Sequence, residues 1–249
     1  VITVTGKVVE NDYVKMGGVE MIPESIEIES IANALPIVRK EIAATKKKKA
    51  VERSSIDQRI DYRWIDLRTD ENQLMFKAQS CFVNAMRKFL LDRNFIEIHT
   101  PKLIAAASES GSEVFKVDYF DRNAYLAQSP QFYKQMAMAA GFERIFETGP
   151  VFRAEKSYTN KHSTEFSGFD LEFSYITSYK DVMKMEEELL TAGLQAVKDN
   201  YGDQIKEMFG QEVIVPTTPF PVVKLADLYK GLEEEFGSNQ WAPSMVLAT

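Results

Sequence analysis

Residues 149–172 read GPVFRAEKSYTNKHSTEFSGFDLE. The stretch begins and ends in apolar, strand-like residues and is dense in Arg, Glu, Lys, His and Asp between them. In Phe152-Arg153-Ala154-Glu155, the two-residue period of a strand puts Arg153 and Glu155 on one face. In Phe169-Asp170-Leu171-Glu172 the two carboxylates again share a face. Charged pairs turned inward are costly unless a ligand or each other matches them. The loop between carries Lys156, Lys161 and His162. Such cations suit a polyanion, with carboxylates at hand for an amine. Two hairpin strands with a solvated charged face would show the same alternation, and spacing alone does not separate the two readings.

The flanking sequence predicts an α+β fold, with antiparallel strands between 110 and 175 and helices packed around them. Strands are expected at 95–100, 113–119, 144–152 and 165–175, and a helix at 131–140. Asp70 is placed as the cap of a long helix over 71–92, in which Phe82, Met86, Phe89 and Leu90 share a face. Cys81 lies beside that face and reads as a packing residue. Ser178 and Asp181 have the spacing of a capping box, opening a helix with Val182, Met185, Leu189, Ala192 and Ala196 on one side. Upstream, 1–9 and 19–31 alternate like strands around a Gly17-Gly18 turn. Two strands alone are marginal, so residues 1–38 are expected to be the remnant of a larger β domain. Residues 39–60 are polar and hold Lys46-Lys47-Lys48-Lys49, a linker by composition and either a solvated tether or an RNA phosphate contact. Residues 61–249 form the remaining domain.

The chain has 249 residues, 45% hydrophobic and 27% charged, with the balance of a soluble globular protein. Its apolar runs are too short to span a bilayer, and no basic stretch followed by an apolar one marks a secretory leader. The chain opens on Val1, so a preceding stretch is expected. A single cysteine cannot form an internal disulfide, which fits a reducing, cytoplasmic setting. The net charge of −7 argues in bulk against nucleic acid, though an acidic protein can carry a local basic surface.

Two further segments carry polar chemistry. In Tyr125-Leu126-Ala127-Gln128-Ser129-Pro130-Gln131-Phe132-Tyr133-Lys134, Pro130 can start a helix with Ser129 as its cap. Gln131 and Lys134 then share a face and could read a small carboxylate, or form a solvated helix end. In Ser108-Glu109-Ser110-Gly111-Ser112 the small residues suggest a mobile loop with one charge, or an ordinary polar turn.

Taken together these segments resemble aspartyl-tRNA synthetases of the archaeal and eukaryotic cytosolic type, a class II family. Residues 94–103, NFIEIHTPKL, look like its motif 1, and Arg153-Ala154-Glu155 with Phe166 thirteen residues after Arg153 looks like motif 2. DQRIDYRWIDLR, 57–68, is similar to the segment leading into the catalytic domain. The likeness runs from about 55 to 236, and residues 1–38 resemble the last strands of an anticodon-binding OB-type barrel. The implied fold is a class II antiparallel sheet flanked by helices, incomplete at this length.

The resemblance implies roles. Arg153 would bridge the ATP α-phosphate and the amino-acid carboxylate. Phe166 would stack on adenine. Ala154 and Glu155 would face the nucleotide, and Lys161, His162 and Ser163 the outer phosphates. Lys134 and Gln131, with Phe132 and Tyr133 beside them, would read the aspartate side chain. Glu109 and Asp170 would surround its ammonium. ATP, L-aspartate and tRNA(Asp) are the implied substrates, a homodimer through motif 1 the implied assembly, and no membrane partner is implied. Mg²⁺ would be held by acidic ligands in a third motif, of the form GxGxGxER, which this sequence lacks; no metal ligand is expected within it, and the chain is expected to be an incomplete form. Residues 237–249 match nothing in the family. The loop 156–162 also departs from it: Lys161 stands where Arg is common and Lys156 reverses a charge, which puts the acceptor-stem contacts in doubt. Asparaginyl-tRNA synthetase, aspartate–ammonia ligase and a non-catalytic dimerising fragment are the competing readings. Lys134 favours aspartate over asparagine, and the strands at 1–38 count against the ammonia ligase.

Overall fold

The computed structural model describes residues 1–15, 17–39, 52–106, 114–156, 159 and 162–237. The lysine run 46–49, the loop 108–112 with Glu109, Lys161, and the tail from 238 lie outside the described residues. The chain divides into two compact units, Val1–Gln73 and Leu74–Thr249.

In the first unit, β1 (Ile2–Glu10) and β2 (Val19–Ile28) form an antiparallel hairpin with Ile2 opposite Ile28 and Glu10 opposite Val19. Gly17 and Gly18 close it at φ +74° and +64°, a backbone region that glycine enters without a Cβ penalty. Short helices α1 (Ile56–Asp61) and α2 (Arg63–Asp66) follow, α1 capped by Ser55, whose hydroxyl accepts from the Gln58 N–H. The repeated Arg/Asp pattern of 57–68 has a local cause. Asp66 is fully buried and accepts from Arg63 Nη1 at 2.8 Å and Asn72 Nδ2 at 3.0 Å, with Arg53 and Arg59 at 3.6 and 3.7 Å.

The long helix α3 runs Asp70–Leu91. Asp70 is its first residue rather than its cap; the Thr69 hydroxyl accepts from the Asn72 N–H instead. The second unit's core joins Met86 and Leu90 of α3 to Phe95, to Phe146 on β7 (Arg144–Phe152) and to Leu189 on α5 (Tyr179–Phe209), with Phe82, Phe89, Phe169, Leu171, Phe173 and Met185 packed around them. The α3 face expected from periodicity meets Met185 and Leu189 of the expected α5 face here, whereas Val182 of that face is exposed. Cys81 lies beside them and its Sγ contacts the Ala196 carbonyl at 3.5 Å. The Ser178–Asp181 capping box opens α5 as expected.

One sheet has the order β3 (Ile96–Glu97), β7, β8 (Glu165–Phe173). β7 and β8 are antiparallel, whereas the short β3 runs parallel to β7, so the sheet is mixed. The strand expected over 95–100 shrinks to two residues because Pro101 has no N–H and the chain leaves the sheet before it. A second sheet orders β4 (Leu103–Ile104), β6 (Arg122–Leu126), β5 (Lys116–Tyr119), and α4 (Gln131–Ala139) follows it. Beyond α5 lies α6 (Leu225–Phe236). Among the described residues no helix is long and apolar enough to cross a membrane.

Gly193 sets the spacing of α3 and α5. A Cβ built on it would stand 2.6 Å from the Phe82 ring and 3.1 Å from Met86 Cγ. Gly193→Val is therefore expected to destabilise the second unit by about 2 kcal/mol, as overpacking of a filled core does. Thermal denaturation checks this; an unchanged midpoint would show that the helices are not pressed together at this point.

Candidate active site

The β7–β8 register sorts the pair into two faces. Phe146 opposite Leu171 and Thr148 opposite Phe169 belong to the core face, where the Phe146 and Phe169 rings stack at 5.8 Å. Glu147 opposite Asp170, Gly149 opposite Gly168 and Val151 opposite Phe166 belong to the other. On that face two glycines sit side by side, and the space above them is a recess of about 90 Å³. It is lined by Arg153, Phe166 and Asp170 together with Lys102, Gln128 and Glu147.

Strand β7 stops at Phe152, one residue before Arg153. The backbone pairing continues for one bond, from the Arg153 N–H to the Thr164 carbonyl at 3.0 Å. Arg153 Nη1 stands 3.9 Å from Glu155 Oε1, so the two do come together, and the guanidinium carbon lies 5.7 Å from the Phe166 ring centroid. Arg153 Nε is shielded from solvent with no hydrogen-bond partner among the described residues. A shielded donor without an acceptor costs free energy that an anionic ligand would recover.

Lys134 behaves differently. It is 4% exposed on α4, and its ammonium is bonded to Asp170 and, at 3.0 Å, to Glu172, with the Leu171 carbonyl at 3.4 Å. Burial pushes its pKa down, but the two carboxylates outweigh that and hold it above the usual lysine value. Asp170 and Glu172, expected on one face, are thus matched within the protein.

The other predicted residues distribute around the recess. Ala154, Glu155, His162 and Ser163 line a neighbouring cavity with Lys156 and Thr159, and His162 Nδ1 pairs with the Thr159 hydroxyl. Phe132 and Tyr133 face a third, apolar cavity with Ile104 and Met136. Gln131 opens α4, where its N–H donates to the Ser129 hydroxyl at 3.3 Å, although Pro130 rather than Ser129 occupies the cap position.

Glu147 and Lys102 were not singled out in the sequence. Glu147 is buried and accepts from the Thr100 N–H at 2.8 Å, the Thr100 hydroxyl at 2.7 Å and Lys102 Nζ at 2.9 Å. Burial pushes its carboxyl up, but these donors outweigh it and hold it below the usual range. The available signal was a lone carboxylate in the otherwise apolar run Ile145-Phe146-Glu147. A depressed folded-state pKa contributes stability above the unfolded value, near 4.3, and loses it as pH falls through the folded value. Glu147→Gln is therefore expected to lower stability at neutral pH by about 2 kcal/mol, since one buried acceptor becomes a mismatched amide, and to flatten the acid limb of the stability–pH curve. Denaturant titrations between pH 3 and 7 measure both; parallel curves for the two proteins would contradict the ionised state.

A family model described as tRNA synthetases class II (D, K and N) matches residues 55–240. The aspartate–tRNA(Asp/Asn) ligase of Methanopyrus kandleri is 44% identical over 245 residues, covering 96% of this chain and 54% of that protein. The cytoplasmic aspartate–tRNA ligase of Caenorhabditis elegans is 46% identical over 166 residues, 67% of this chain and 31% of that one. Among solved structures, asparaginyl-tRNA synthetase from Pyrococcus horikoshii complexed with asparaginyl-adenylate superposes with a TM-score of 0.82 at 30% identity, over 97% of this chain and 53% of that one. The chain spans about half the length of the curated relatives it matches.

Proposed function

The chain belongs to the class II tRNA synthetases of the D, K and N group, and from that membership we propose that it serves the ATP-dependent attachment of L-aspartate to tRNA(Asp). An aspartate carboxylate oxygen attacks the α-phosphorus of ATP, the bond from phosphorus to the bridging oxygen breaks, and pyrophosphate leaves. A ribose hydroxyl of the tRNA 3′ end then attacks the acyl carbon, and AMP leaves. Such chemistry is mainly positioning and charge stabilisation. The observation that carries the reading is the Arg153 Nε, shielded and without a partner among the described residues, at the end of β7 in the recess that Phe166 and Asp170 of β8 also line.

Arg153 bridges the α-phosphate and the amino-acid carboxylate, which a planar fork of donors suits. Phe166, across from it, offers its ring to adenine. Ala154, Glu155, His162 and Ser163 face the nucleotide from the adjoining cavity, and Lys161 is assigned to the outer phosphates on the family resemblance alone. Asp170 takes the substrate ammonium with Glu109, and Lys134 with Gln131 reads the side chain, Phe132 and Tyr133 flanking them. Among the described residues no three His, Cys, Asp or Glu stand together to hold a metal ion, so Mg²⁺ is assigned no ligand and no step. The cytoplasm is the proposed compartment and a homodimer through residues 75–103 the proposed assembly.

Asparagine is a second reading, favoured by one observation: the Lys134 charge is already matched by Asp170 and Glu172. ATP–pyrophosphate exchange with aspartate or asparagine as the only amino acid separates the two. Exchange with aspartate alone is the outcome that supports the proposal. Asparagine alone would overturn the substrate, and a chain that binds neither amino acid nor ATP would overturn the function.

A further inference from the structure

Two cations line the recess over Gly149 and Gly168: Arg153 and Lys102. Lys102 follows the chain's exit from β3 and reaches back across the face of β7. Its ammonium donates to the Thr100 hydroxyl at 3.1 Å and to Glu147 Oε1 at 2.9 Å. An ammonium carries three donors, and among the described residues these are the two it uses. The Lys102–Glu147 pair packs over the bare backbone of Gly149: a Cβ there would be in ordinary contact, 3.5 Å from Glu147 Oε1 and Lys102 Cε and 3.6 Å from Nζ. We propose that Lys102 is a second cationic binding residue of this site, donating to an anionic oxygen of the substrates beside Arg153.

Three features favour that role over simple neutralisation of Glu147. First, the pair is an expensive way to fill the position. A lysine–glutamate pair withdrawn from water gains little over a packed apolar isostere. Second, the ammonium is fixed rather than tethered loosely. Glu147 is itself anchored by the Thr100 N–H and hydroxyl, so the positive charge is held in place before any ligand arrives. A preorganised charge costs no reorganisation on binding. Third, Lys134, the other lysine near this face, is bonded to Asp170, Glu172 and the Leu171 carbonyl, and does not line the recess. Of the two lysines, that leaves Lys102 as the one that lines the recess. The anionic oxygen belongs either to the amino-acid carboxylate or to the nucleotide phosphate, and both present the same chemistry.

The inference rests on the proposed function, and the test keeps the two apart. L-aspartate and ATP are titrated separately into the full chain by calorimetry, for the wild type, Lys102→Met, and the double variant Lys102→Met/Glu147→Gln. Lys102→Met is expected to weaken one ligand about tenfold, the loss of one charge-assisted hydrogen bond. A drop for aspartate identifies the carboxylate, and a drop for ATP the phosphate. The double variant leaves no buried unpaired charge. It is expected to regain thermal stability while its ligand affinity stays low. Wild-type affinity in Lys102→Met, or affinity restored in the double variant, would reduce Lys102 to a counter-ion and overturn the inference alone. A wild type that binds neither ligand would instead overturn the function, and this inference with it.

Discussion

Arg153→Ala is expected to weaken binding of a non-hydrolysable aspartyl sulfamoyl-adenosine by about 10²–10³-fold while leaving the thermal midpoint nearly unchanged. The size follows from the count of bonds. A guanidinium bridging two anionic groups makes two or more charge-assisted hydrogen bonds, each worth about 1.5–3 kcal/mol. Losing about 3–4 kcal/mol is a factor of 10²–10³ in affinity. Stability should barely move, because among the described residues the side chain makes a long contact to Glu155 at 3.9 Å and holds its guanidinium carbon 5.7 Å from the Phe166 ring centroid, and its shielded Nε meets no acceptor there. Removing it takes away a cost of the unliganded state together with the ligand contact. Arg153→Lys is expected to recover at most about tenfold of the loss, since a point charge cannot span two acceptors. Calorimetry with the three proteins decides it. An affinity within threefold of wild type for Arg153→Ala would mean that the guanidinium serves the strand end and not the ligand.

Much of the fold was legible because its signals are local. The β7 and β8 segments, α4, and the capping box at Ser178 each depend on a few adjacent residues, and all stand close to where the sequence put them. The parallel pairing of β3 with β7 was not legible. Two residues, Ile96 and Glu97, carry no period, and their partner lies nearly fifty residues on, at Ile145 and Phe146. The site was legible in its residue types and less so in its pairings. Arg153, Phe166 and Asp170 gather at one recess, as a strand pair with that alternation allows. That Asp170 and Glu172 would turn their charge on Lys134 needed the packing of α4 against β8, which no spacing within either element reveals. The Lys102–Glu147 pair was hidden for the same reason, Lys102 lying in the bend before β4 and Glu147 on β7, far apart in sequence. Glu109 and Lys161 fall outside the described residues, so the loop side of the site rests on the resemblance.

Lys134→Met is expected to cost about 3 kcal/mol of stability and to weaken aspartate binding by about 10²-fold. Methionine preserves the length and apolar volume of the side chain, so the loss isolates the charge. Removing one member of a buried ion pair costs about 3–5 kcal/mol, because the remaining charge is left unmatched. Asp170 and Glu172 keep 34% and 30% of their side-chain surface and can partly rehydrate, which places the expected loss at the low end. The two carboxylates would also be free to repel each other and the incoming substrate carboxylate, which is why affinity falls further than one lost contact would give. The pH dependence has a defined sign. Folding raises the Lys134 pKa, so its contribution is fully present below the unfolded value, near 10.4, and fades as pH rises through the folded value. The stability gap between wild type and Lys134→Met should therefore stay constant through neutral pH and close only in alkali. A triple variant, Lys134→Met with Asp170→Asn and Glu172→Gln, separates the two losses. Its stability should return most of the way, since no charge is left unmatched, while aspartate affinity stays low. If affinity returned with stability, Lys134 would be a counter-ion to the two carboxylates and the amino acid would be read elsewhere in the site.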